Sequence, residues 1–147
     1  MDSLASSGIR GTNNFLSALG QIASLLNEGN QLTVVHTEYS LQNNGVHYCT
    51  LSDNKTIVAV AGIIKAEEIA SKIKHVVVHP NYRRNGYGAM VVQKAMALCT
   101  TPYVYSYVRR DNNRSLILFL KLGFEIIRME TGQIKPIILL GRKTPCQ

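Results

Sequence analysis

The residues of this chain best suited to chemistry are two arginines followed by two closely spaced glycines, Arg83-Arg84-Asn85-Gly86-Tyr87-Gly88. They follow an apolar run, Val76-Val77-Val78, that stops at His79-Pro80, and they precede a segment of helical periodicity. A loop entering a helix presents backbone N–H groups without intrahelical partners, at the positive end of the helix dipole. Gly86 and Gly88 lack the Cβ that would hold a ligand away, and Arg83 and Arg84 can add charge-assisted hydrogen bonds. These properties suit a pyrophosphate, and the same letters also suit a plain glycine-rich turn. A Walker loop does not fit, because no Lys-Ser or Lys-Thr follows the glycines. Nor does a dinucleotide fingerprint, which needs three spaced glycines in the first turn of a βαβ unit.

Other reactive side chains cluster nearby in sequence. His75 and His79 flank the valine run and titrate in the range useful to a general base. In a regular strand both share a side with Val77, and a bulge would change that face. Tyr103, Tyr105 and Tyr107 alternate, so they either line a site and supply a proton or pack across strands. Arg109, Arg110 and Arg114 form a second basic group, fit for a phosphate, for an acidic acceptor or for a solvated face. Cys49 and Cys99 read as buried small hydrophobes. With Cys146 they make an odd, widely spaced set, which fits neither a disulfide framework nor a zinc site. His36 and His47 have no ligand spacing and read as structural.

The loop with its strand resembles motif A of the GNAT superfamily of N-acetyltransferases, R-x-x-G-x-G after a strand ending V-x-P. Downstream, Asn112-x-x-Ser115-Leu116-x-Leu118-Phe119-x-Lys121-x-Gly123-Phe124 resembles the family's next helix and strand, N-x-x-A-I-x-L-Y-x-K-x-G-F. The two motifs cover residues 73–130, in the family's order. The resemblance implies a mixed α/β domain with a mostly antiparallel sheet of six to seven strands flanked by three to four helices. It implies acetyl-CoA as cosubstrate, no metal, a primary amine as acceptor, and direct transfer in a ternary complex. Many relatives are homodimers. Backbone groups of Val76, Val77 and Val78 would meet the acetyl and pantetheine portion. Arg84, Asn85, Gly86, Tyr87, Gly88 and Ala89 would enclose the pyrophosphate, and Asn112 would contact the cofactor's arm or its far end. The family's tyrosine, credited with protonating the leaving thiolate, is Phe119 here. A thiol of pKa near ~8.5 needs little help to leave, whereas an alkylamine of pKa about 10 must first lose a proton. His75 is therefore the expected base, with Tyr105 as a proton donor in place of the missing tyrosine. A backbone N–H of residues 76–78 would stabilise charge on the acyl oxygen.

These residues need a scaffold. Phe15, Leu16, Leu19, Ile22, Ala23 and Leu26 recur at helical spacing, and Gly29 supplies a stop. Residues 32–39, 46–51 and 55–64 carry β-branched runs, with turn signals at Asn43-Asn44-Gly45 and Asp53-Asn54, and predict an antiparallel meander. A short turn or helix at 67–71 precedes a strand over 73–79. Helices follow at 86–99, with Val91, Val92, Ala95, Leu98 and Cys99 on one face, and after Asn112 or Asn113, with Leu116, Phe119 and Leu120 inward. Strands at 103–109, 124–130 and 134–142 complete a mixed sheet. The first dozen residues, rich in Ser and Gly, read as a flexible start or a docked segment.

At 147 residues and 46% hydrophobic content the chain is the size of one domain with one core. Sixteen Lys and Arg against nine Asp and Glu give a net charge of +7. That charge invites a polyanionic partner, but nothing like a zinc-ligand spacing or basic recognition helix supports nucleic acid. No apolar run approaches the ~20 residues of a membrane span, so a soluble protein is expected, and the odd cysteine set fits a reducing cytoplasm. Beside the enzyme stands a second reading, motivated by Phe119: an acyl-CoA-binding or partner-binding module that kept the cradle and lost the chemistry.

Overall fold

β-branched runs broken by turn residues lay down the middle of the sheet, and helical periodicity takes over after Pro80. The computed structural model describes residues 2–6, 13–29, 36–130 and 136–145. Strand β1 (Asp2–Ser6) precedes helices α1 (Asn13–Gly29) and α2 (Glu38–Gln42), then strands β2 (His47–Asp53), β3 (Thr56–Lys65) and β4 (Ala70–Val78). A single 3-10 turn, Pro80–Tyr82, leads to α3 (Tyr87–Ala97), β5 (Tyr103–Arg109), α4 (Asn113–Lys121), β6 (Glu125–Glu130) and β7 (Ile137–Lys143). The seven strands of the described residues form one sheet in the order β1-β2-β3-β4-β5-β7-β6. Every neighbouring pair is antiparallel except β4 and β5. This is the mixed, mostly antiparallel architecture that the sequence implies.

Several elements depart from expectation. The strand expected over 32–39 is replaced at its end by α2, because Thr37 and Ser40 form a reciprocal capping box, with Ser40 N–H donating to Thr37 Oγ1 at 3.1 Å. The rest of that segment, 32–35, lies outside the described residues. Residues 2–6, within the segment read as a flexible start or a docked one, pair with β2 along the sheet edge. In α3 it is Met96 rather than Leu98 that completes the buried face. The helix ends at Ala97, and Leu98 turns outward, 46% exposed. In α4, Leu118 and Leu122 join Leu116 and Phe119 against the core, while Leu120 faces out.

The sheet separates two apolar clusters. On one face α3 and α4 bring Val91, Val92, Ala95, Met96 and Phe119 against Val58, Ile73, Val104 and Leu140. On the other, α1 and α2 bring Leu19, Ile22, Leu26 and Leu41 against Tyr48, Ile57 and Val60. The valine run, expected to be buried on both faces, is only half-buried: Val76 and Val78 pack against the first cluster and Val77 against the second. Asn27 ties α1 to the approach of α2 through both of its amide atoms, at 2.8 Å from His36 N and 2.9 Å from His36 O.

Candidate active site

Beta strands that run in parallel normally pair along their length, but β4 and β5 pair only through Ala70–Tyr103, Ser71–Val104 and Lys72–Tyr105. Ser106 Oγ then donates to Ile73 O at 2.9 Å, and beyond that bond no strand among the described residues pairs with β4 on this edge. The strands part into a gap bordered by the rest of β4 and by Tyr107 to Arg109. On its other edge β4 stays paired to β3, where a bulge falls between the pairs Gly62–Lys74 and Val60–Val77. His75 sits in that bulge with φ +59°. A bulge adds a residue to one strand and re-aims its side chain. The imidazole therefore turns from the face of Ile73 onto the side of Tyr48 and His36.

Around His75 lies a small polar cluster inside an apolar wall. Its Nδ1 is 2.7 Å from Tyr48 Oη, its ring stacks on Tyr48, and the His36 ring meets it edge-on at 4.7 Å. Asn44 Nδ2 donates to the same hydroxyl at 2.9 Å, so the hydroxyl proton is available for His75 Nδ1. Burial, and after it the charges of Lys74, His36 and Lys72, push the imidazole down to about 4. Burial pushes Tyr48 up to about 12, opposed in part by the Asn44 hydrogen bond. His75 is thus neutral at pH 7 and a weak base. His79, expected on the same side, instead caps the turn at Pro80, accepting from Asn81 N–H at 3.1 Å, and lies edge-on against Tyr82.

At the C-terminal end of β4 the loop turns through two left-handed residues, Arg84 with φ +68° and Gly86 with φ +78°. Arg83 fastens it to the strand, donating from Nε to Val78 O at 3.3 Å. Its guanidinium is lowered by burial and by Arg114. Asn85 Nδ2 donates to Tyr82 O and Arg83 O and holds the turn shut. Gly86 is the N-cap of α3 and supplies no side-chain cap. The first helical bond closes from Met90 N–H to Gly86 O, leaving the N–H groups of Tyr87, Gly88 and Ala89 without intrahelical acceptors. Arg84 is exposed and makes no hydrogen bond or ion pair with any described residue.

The Acetyltransferase (GNAT) family is matched over residues 20–124, more than two thirds of the chain. The chain belongs to the GNAT acetyltransferase family. Acetyl transfer, with acetyl-CoA as cosubstrate, comes with that membership. Solved GNAT structures share the fold at low identity. The ribosomal-protein-S18-alanine N-acetyltransferase from Escherichia coli superposes with TM-score 0.75 at 15% identity, over 99% of this chain and 96% of that one. The smu.2055 protein from Streptococcus mutans gives 0.78 at 17%, over 98% and 100%. The yncA structure from Salmonella typhimurium, with its cofactor acetyl-CoA, gives 0.72 at 11%, over 98% and 95%. No curated protein matches the sequence.

The residues of this GNAT chain fit the pyrophosphate of that cosubstrate. A Cβ on Gly86 would meet no protein atom within 4 Å, so the space above the turn is open. A Cβ on Gly88 would reach Leu118 Cδ2 at 3.4 Å and Val78 Cγ2 at 3.6 Å, ordinary contact distances. Gly86 is explained by its positive φ; protein packing does not explain Gly88, whereas close approach of a ligand does. Asn112 is exposed, and its Oδ1 accepts from Ser115 N–H at 3.2 Å, capping α4. Phe119 is 1% exposed and packs edge-on against Phe124, so its ring belongs to the core and offers no surface to a ligand. Tyr105 and Tyr107 share the open side of β5, their rings 5.9 Å apart, and burial, then Glu67 and Tyr107, raise the Tyr105 hydroxyl.

Sequence reading missed Tyr48, His36 and Asn44 as companions of His75, and it passed over Lys72 and Lys74. Nothing local marks them, since Tyr48 lies 27 residues from His75 and only the sheet joins them. A cavity of about 310 Å³, lined by Gly45, His47, Ile63, Leu98 and Cys99 among others, lies at the opposite end of β4, remote from the loop.

Proposed function

We propose that the chain is an N-acetyltransferase that takes the acetyl group of acetyl-CoA to a primary amine by direct transfer in a ternary complex, working as a single domain. The observation that carries this reading is the parting of β4 from β5 just where the open turn of Arg84 and Gly86 enters α3. That turn, with the free N–H groups of Tyr87, Gly88 and Ala89, is the place for the pyrophosphate, and Arg84 adds the mobile charge. Val76, Val77 and Val78 offer only backbone, because their side chains are spent on the two cores. When bound, acetyl-CoA supplies an activated acetyl thioester.

The α3 and α4 side of the gap is filled, so an amine approaches from the side of His75, Tyr105 and Tyr107. Tyr105 keeps its proton at neutral pH and is the donor for the departing thiolate. His75 stays neutral and holds Tyr48. With its pKa near 4 against about 10 for an alkylamine, direct proton abstraction is uphill by about six units, or about 8 kcal/mol. We therefore place His75 as a positioning residue that fixes the bulge, and the ammonium proton leaves by way of solvent in the gap.

The test is an initial-rate matrix in acetyl-CoA and an acetylated amine. Direct transfer predicts intersecting double-reciprocal lines. Parallel lines, the mark of a covalent enzyme intermediate, would contradict it. Phe119 at the family's tyrosine position favours the second reading, a binding module. That reading predicts stabilisation by acetyl-CoA with no thiol release for any amine.

A further inference from the structure

The side of the sheet from which an amine approaches carries charge that acetyl transfer itself does not need. Val104, Ser106 and Val108 point into the core, so alternation places Tyr103, Tyr105, Tyr107 and Arg109 on the opposite face. Lys72 stands abreast of Tyr105 and reaches over the Tyr107 ring, its Nζ 5.1 Å from the centroid. Lys74, opposite Gly62, shares that face beside the point where the strands part. Neither lysine has a carboxylate partner among the described residues. Burial, and then Lys74, hold the Lys72 ammonium below its ordinary range, and both lysines act on His75.

Two ammonium groups thus border the gap without a counter-charge. The carboxylates on this side do not supply one. Asp111 is held by Arg109 at 3.0 Å and Glu130 by Arg128 at 2.8 Å, while Glu67 sits exposed in the turn before β4, near Tyr105. Farther along β5, Arg109 Nε is buried and has no acceptor among the described residues, an exception among native N–H groups that a bound oxygen would remove. Like charges so placed repel a polycation and favour an anion.

We propose that the acceptor is an amine that carries a side-chain carboxylate, gripped by Lys72 and Lys74 while its amine lies in the gap between β4 and β5. This rests on the reading of the chain as an amine acetyltransferase. The tyrosine rings flank the stem between the two groups. Free amino-dicarboxylates and acidic peptides share this chemistry, and the test separates them.

Thiol release is measured at saturating acetyl-CoA with glutamate against glutamine, with a tetrapeptide bearing two glutamates after a free N-terminal alanine against its glutamine twin, and with spermidine. The expected result is kcat/KM roughly tenfold or more higher for the anionic member of at least one pair, the size of one charged hydrogen bond. Preference in the amino-acid pair alone identifies a free acid, and in the peptide pair alone an acidic peptide. The preference should collapse toward parity in the Lys72→Gln/Lys74→Gln double variant, which keeps its stabilisation by acetyl-CoA. Calorimetric titration of the preferred probe into cofactor-free protein should weaken as ionic strength rises. Equal rates within both pairs, a faster reaction with spermidine, a preference that survives the double substitution, or cofactor binding with no probe acetylated would overturn the inference. With acetylation of a neutral or cationic amine the enzyme reading stands and only this inference falls; absence of acetyl-CoA binding removes both.

Discussion

His75 carries the sharpest chemical contrast between letters and structure. A histidine on the valine strand reads as a base poised near neutrality, yet burial, helped by Lys74, His36 and Lys72, holds it near 4. Its pKa falls on folding from 6.5, so between those values the unfolded chain binds more protons. Stability is fully present above about pH 6.5 and is lost as pH drops toward 4. The loss should be about 1–3 kcal/mol, the lower end reflecting partial exposure. Denaturant midpoints in wild type and His75→Gln should converge across that window, and parallel pH profiles would show the imidazole to be ordinary. The neutral-pH rate profile should be unaltered in shape by the same substitution. Arg84 makes the complementary case: unpaired among the described residues, it should cost the fold nothing when changed to Ala. Acetyl-CoA affinity should fall by about 1.5–3 kcal/mol, the worth of a charged hydrogen bond, read by calorimetric titration. Unchanged affinity would remove Arg84 from the site.

At the scale of elements, the part of the sequence governed by strong local signals was legible. Turn residues and β-branched runs placed β2, β3, β4 and β5 within a few residues, and Gly123, with φ +87°, stops α4 as its type predicts. Residues 36–42 misled because β-branched and aromatic letters there compete with a capping box, and the cap won. The bulge at His75 and the early parting of β4 from β5 were not legible, since both depend on which strand lies beside which. That gap yields a prediction of its own. Amides of residues 74–77 have no strand partner on the β5 side, so some should exchange quickly without ligand and become protected with acetyl-CoA. Hydrogen exchange of a peptide spanning the second half of β4 measures it. Equal exchange with and without cofactor would mean that the gap is not where it binds.

For the molecule as a whole, the open turn from Arg83 to Gly88 was readable because a loop before a helix is a local object. The acceptor side was not, because Lys72, Lys74, Tyr48 and Tyr107 meet only in the folded sheet. The same asymmetry holds for Phe119, which stands at the family's tyrosine position beside the leaving thiolate in the sequence pattern and which the structure seals in the core against Phe124. No helix among the described residues is long and apolar enough to cross a membrane. The most direct test is thermal unfolding of wild type and Gly88→Ala with and without acetyl-CoA. At 100 times its dissociation constant a ligand adds about 2.7 kcal/mol, a rise of about 5–10 °C for a chain of this size. Wild type should show that rise. Gly88→Ala should show an unchanged or slightly higher ligand-free melting temperature, as the neighbouring atoms leave room for a Cβ, together with a much smaller rise. No rise in wild type at millimolar acetyl-CoA, or an equal rise in both proteins, would contradict the placement of the cofactor at this turn.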